Sequence, residues 1–158
     1  MRTVRVLALL LISAVALLAC GSSKILPSDV IFGDKLISAR TAYVVKPDRF
    51  SRDIEVFIQS ALAKRGIAAS CGPIESKPQN VDIYVTFMNS SAWDLAVYLV
   101  SLDISFFDNN SNRLIAHGRF QNGKKHTFPN VKDTVNKVVN SVFDGVSLAP
   151  QATTTKQE

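Results

Sequence analysis

The chain has 158 residues, 47% of them hydrophobic and 20% charged, with a net charge of +5. That length supports one domain with a real core and leaves no room for a second. The basic residues are scattered and lack an interleaved aromatic stripe, so nucleic acid is excluded as an expected partner.

In chain order, Arg2 and Arg5 precede an apolar run over residues 6–18, which ends in Leu17-Leu18-Ala19-Cys20-Gly21. A short apolar segment behind a basic start, closed by a small residue, has the pattern of a secretory signal. With cysteine next to Ala19, it resembles the lipobox of bacterial lipoproteins. The resemblance implies cleavage after residue 19, lipidation of the Cys20 sulfur and acylation of the new amine. An anchor of several acyl chains, at about 0.8 kcal/mol per buried methylene, is effectively permanent. Gly21 stands where Gram-negative lipoproteins retained in the inner membrane carry aspartate. The expected location is therefore the outer membrane, facing the periplasm, with the membrane as a partner through the N-terminal lipid. Loss of Arg2 and Arg5 leaves the mature part only mildly basic.

The expected organisation is a signal peptide at 1–19, lipidated Cys20 and a tether at 20–35, a single α+β domain at 36–147, and a disordered tail at 148–158. Ser22-Ser23, Pro27 and Gly33 with few periodic apolar positions suggest the tether. Alternation over residues 36–45, with Ile37, Ala39, Tyr43 and Val45 on one face, predicts a strand. Ile54, Phe57, Ile58, Ala61 and Leu62 follow helical spacing, and Gly66 closes that helix as a left-handed cap. A short strand is expected over 67–70 and another over 81–88, where Val81, Ile83, Val85 and Phe87 share a face.

Residues 92–107 read as one long strand. Its second half alternates, but its first half is apolar on both faces, with Trp93, Leu95 and Val97 against Ala96, Tyr98 and Val100. Helices cover one face of a two-layer sheet, so this segment predicts a bulge, a covering loop, or a surface that meets something else. The turn at residues 108–112 and a returning strand over 114–121 follow. A final helix starts after Asn130, whose Asn-x-x-Asp resembles a capping box, and carries Val131, Val135, Val138, Val139, Val142 and Phe143 as its apolar stripe. Valine is a mediocre helix former, so packing must hold this helix. The predicted order is β-α-β-β-β-β-α, with two helices on one face of a mainly antiparallel four- to five-stranded sheet.

Chemistry is sparse. His117 and His126, with Asp103 and Asp108 as acidic companions, fall short of a metal set or a catalytic constellation. No enzyme activity, cofactor or metal is expected. A lipidated Cys20 leaves Cys71 without an intramolecular partner, so it is expected either as a small buried residue at a strand end or as a thiol paired outside the chain. The candidate contact residues are Tyr84, Met88, Trp93, Leu95 and Val97, with Lys124 and Lys125 in a glycine-started basic loop.

Residues 82–85 (Asp-Ile-Tyr-Val), 92–99 (Ala-Trp-Asp-Leu-Ala-Val-Tyr-Leu), 114–120 (Leu-Ile-Ala-His-Gly-Arg-Phe) and 126–129 (His-Thr-Phe-Pro) together resemble a group of small Gram-negative lipoproteins. The topology is also similar to that of lipoproteins assisting lipopolysaccharide assembly and of auxiliary lipoproteins in lipid transport. These resemblances transfer no active site. They imply a binding or assembly module with an envelope protein partner, or alternatively a lipid or small-ligand carrier.

Overall fold

The computed structural model describes residues 23–48, 52–123 and 128–148. The expected signal peptide at 1–19, Cys20, Lys124, Lys125, His126 and residues 149–158 of the expected tail lie outside the described residues. The elements are β1 (Lys24–Ile25), β2 (Asp29–Val30), α1 (Gly33–Ser38), β3 (Thr41–Val45), α2 (Ile54–Ala63), β4 (Ala68–Gly72), a 3-10 turn (Ile74–Ser76), β5 (Ile83–Asp94), β6 (Ala96–Asp108), β7 (Leu114–Gln121) and α3 (Val131–Leu148).

The architecture is α+β, with a seven-stranded sheet in the order β1-β7-β6-β5-β3-β4 and β2 also paired to β7. This corrects the expected sheet of four to five strands, and the sheet is mixed. The strand β3 runs parallel to both β4 and β5, whereas β5, β6, β7, β1 and β2 pair antiparallel. The physical reason is connectivity: α2 crosses over between β3 and β4, and such a crossover returns the chain in the same direction.

Residues 24–38 also depart from expectation. The segment read as a tether adds β1 and β2 to the free edge of β7, and α1 replaces the first half of the strand expected over 36–45. Within α1, Leu36 is buried and Ile37 is 59% exposed, so helical geometry separates two residues that alternation alone could not sort.

The helices α2 and α3 lie side by side on one face. Ile54, Ile58, Ala61 and Leu62 of α2 and Val135, Val138, Val139 and Val142 of α3 are buried against Ala42, Val44, Ile83, Val85, Ile104 and Phe106 of the sheet. Each such side chain contributes roughly 1.5–3 kcal/mol of burial. Gly66, at φ +78°, ends the turn after α2 as expected. Asn130 caps α3 by accepting the Asp133 N–H at 3.0 Å. The valine-rich α3 seats closely because β7 offers Gly118 beneath it, where a Cβ would meet Val142 Cγ2 at 2.6 Å and Val138 Cγ1 at 2.9 Å.

Candidate functional site

The long strand expected over residues 92–107 is two strands. The chain reverses at Leu95, where Asp94 pairs with Ala96 and Trp93 with Val97. No Gly or Asn-Gly marks this reversal, so turn chemistry gave no warning of it. Leu95 adopts φ 57°, a left-handed conformation in which an ordinary L-residue is disfavoured by roughly 1–2 kcal/mol.

The β5–β6 hairpin outruns its neighbours. The strand β3 pairs with β5 only at Ile83, Tyr84 and Val85, and β7 meets β6 from Ser101 onward. Beyond that point the two strands form a ribbon with no third strand beside it among the described residues. A register shift at Ser90/Ser91 marks its root, a bulge being one of the three alternatives expected for the doubly apolar segment. Leu99 near the root of the ribbon is still buried in the core, and the side chains beyond it stand clear of the helices. Trp93 is 74% exposed, Leu95 91% and Val97 47%. Tyr98, on the other face from Val97, receives the Phe128 ring edge-on at 5.5 Å. Phe128 is itself exposed. Exposed and half-buried apolar side chains therefore stand on both faces of the ribbon, Trp93 and Val97 on one and Tyr98 with Phe128 on the other, with Leu95 at the turn.

The structure divides the remaining candidates. Met88 is exposed, but on the helix-free face opposite Asp103. Tyr84 lies about 30 Å along the strand from Trp93, half-buried and stacked on Phe107 with ring centroids 4.9 Å apart. Burial pushes its hydroxyl pKa up. Tyr84 therefore belongs to an aromatic cover at the far end of the open face, not to the tip.

The open face also carries a polar cluster. Asp103 pairs with Arg119 and with His117, whose Nε2 lies 3.3 Å from the carboxylate. Ser105 stands opposite His117 in register. Ser, His and Asp thus share a face, but Arg119 and His117 engage the same Asp103 oxygen, the arrangement of a cross-strand ion cluster. Among the described residues no group of three or more His, Cys, Asp or Glu could hold a metal ion. An open groove of about 1130 Å³ runs between the β1–β2 segment and α3, lined by Ile25, Pro27, Val30, His117, Ser141 and Asp144. Cys71 is exposed on the edge strand β4, with its thiol 3.6 Å from Gln59 Oε1, so the buried alternative is corrected. An edge strand has no neighbour on its outer side to cover it.

No protein-family model matches the chain, and no curated protein matches it. Among solved structures it is similar to the PelC dodecamer from Paraburkholderia phytofirmans, at 12% identity and TM-score 0.49 over 82% of this chain and 99% of that one. It is similar to a PDZ domain protein from Parabacteroides distasonis, at 13% identity and TM-score 0.46 over 86% of this chain and 37% of that one. A minor lipoprotein from Acinetobacter baumannii matches at 10% identity and TM-score 0.29 over 70% of this chain and 87% of that one. Among the described residues no helix is long and apolar enough to cross a membrane.

Proposed function

We propose that this protein is a lipid-anchored envelope lipoprotein acting as a binding and assembly module, without catalytic chemistry of its own. The observation that carries the reading is the projecting β5–β6 ribbon, with Trp93, Leu95 and Val97 displayed beyond the cover of the helices. Leaving these groups in water gains the folded domain nothing, whereas removing them from water on contact contributes about 25 cal/mol per Å² of apolar surface. Aromatic anchors in such a position are the residue types that dominate binding energy at interfaces. The N-terminal sequence adds the compartment: a lipobox at Cys20 and no aspartate after it.

The test is in-cell photocrosslinking from position 95, with position 137 on exposed α3 surface as the comparison. Adducts specific to position 95 and lost when Trp93 is changed to Ser support the module. Equal adducts from both positions would overturn it. The carrier reading draws on the groove beside β1 and β2, and predicts lipid retained by the purified chain in native mass spectrometry.

A further inference from the structure

Resting on that reading, we infer that the occupant of the hairpin tip is the lipid interface of the same leaflet that holds the anchor. The tip then acts as a second, protein-borne membrane contact.

The first ground is where the described chain begins. Ser23 donates its hydroxyl hydrogen bond to Asn122 Oδ1 at 2.7 Å, and the Asn122 N–H donates to Val100 O at 2.8 Å, at the root of the ribbon. Immediately after Ser23, Lys24 and Ile25 pair with Gln121 and Phe120. The chain therefore leaves the domain toward Cys20 at the hairpin end of the sheet. The opposite end of the molecule receives the C-terminal part of α3, where Val146 packs near Gly33.

Length is the second ground. Three residues from Ser23 to Cys20 span at most about 11 Å. The ribbon runs five residues past Val100 to Leu95, about 16 Å. An anchor tied this closely to the root of the ribbon, on a link shorter than the ribbon itself, brings the tip to the interface when the domain stands on its lipid.

The third ground is chemistry. Trp93 and Tyr98 are amphipathic rings of the kind enriched where hydrocarbon meets headgroups, with Val97 beside Trp93 on one face, Phe128 against Tyr98 on the other and Leu95 at the turn supplying apolar area. Asp94 in the turn interacts within the chain. A single acyl chain binds membranes reversibly and a second contact makes attachment stable. In a fully acylated lipoprotein the contribution of the tip is instead to fix orientation, holding the open sheet face at a constant angle to the membrane.

Trp93 is the single tryptophan of the chain, so its emission reports the tip directly. The full chain is expressed in a Gram-negative host, purified in mild detergent, and the mass of its N-terminal peptide is measured to establish the lipid on Cys20. It is then reconstituted into phosphatidylethanolamine–phosphatidylglycerol vesicles with and without bromine near the carbonyl end of the acyl chains. We expect bromolipid to quench Trp93 several-fold and aqueous iodide to have little effect. Leu95→Asp should reverse both results while circular dichroism and lipidation are unchanged, and Val97→Thr should weaken the quenching in the same direction. Lipidated protein whose Trp93 is quenched by iodide and untouched by bromolipid overturns the inference while leaving the binding module with a protein partner. A Cys20 without lipid would instead defeat the anchor reading. The unlipidated chain on the same vesicles then decides the tip: bromolipid quenching that depends on Leu95 supports it, and absence of quenching overturns it.

Discussion

Asp108 shows how one side chain sets a turn. At the end of β6 it is buried, accepts the Ser111 N–H and hydroxyl at 2.8 Å each, and lies 3.2 Å from Lys35 Nζ of α1. The Ser111 hydrogen bonds, with Lys35 adding to them, hold its carboxyl down to about 2. Because the folded value lies below the unfolded one, this contribution is fully present above the ordinary aspartate pKa and is lost as pH falls from about 4 toward 2. The shift corresponds to on the order of 2 kcal/mol, so Asp108→Asn should lower stability at neutral pH by about that amount and flatten the acid limb, as read by urea melts across pH. Leu95 makes the opposite case. Its left-handed backbone suits Asn better than Leu, so Leu95→Asn should raise folding stability by about 1 kcal/mol in chemical denaturation while weakening whatever contact the tip makes. On the proposed reading, a leucine kept in a conformation that disfavours it, with almost all of its surface in water, is a position where folding and function ask for different residues.

At the level of elements, α3 depends on the glycine beneath it. Adding a branched side chain at Gly118 forces Val138 and Val142 outward, so Gly118→Val should destabilise by about 1–3 kcal/mol or more and loosen α3 first, visible as lost amide protection along that helix. The ribbon should respond in the contrary way. Its tip residues are exposed, so Trp93→Ser should change stability by no more than about 0.5 kcal/mol in thermal melts, and a larger loss would make the tip part of the core. The edge strand β4 leaves Cys71 accessible, and maleimide should label it in the folded protein without denaturant. Much at this scale was legible beforehand: the α2 stripe, the Gly66 end, the Asn130 cap and the alternation of β7 follow from local periodicity and capping chemistry. The hairpin was not, because residues 92–99 carry apolar side chains in both phases and lack the turn residues that announce a reversal. Nor were β1 and β2, since two-residue strands carry too little pattern to separate from a linker.

On the scale of the molecule, the sheet divides its two faces by purpose. One is sealed by α2 and α3. The other is left to the Asp103, His117 and Arg119 cluster and the stacked Tyr84 and Phe107. The β5–β6 ribbon extends past both layers at the end of the sheet where the described chain begins at Ser23. Trp93, Leu95 and Val97, singled out by apolar excess alone, meet at that tip, whereas Tyr84 and Met88 are carried away from it by the length and pleat of β5.

The sequence by itself determined the apolar N-terminal run that ends at Cys20, the α+β composition, the two long amphipathic helices and the unusual apolar segment, because each of these is a local property of spacing and residue type. Only the tertiary structure decided that β3 lies parallel to its neighbours, that residues 24–38 belong to the sheet and its flank, and that the apolar segment is a projecting hairpin beside Ser23, where the described chain begins. Those features depend on which distant segments pair. Pairing is settled by the packing of the whole chain, which brings Ser23 and Asn122 together across ninety-nine positions of sequence.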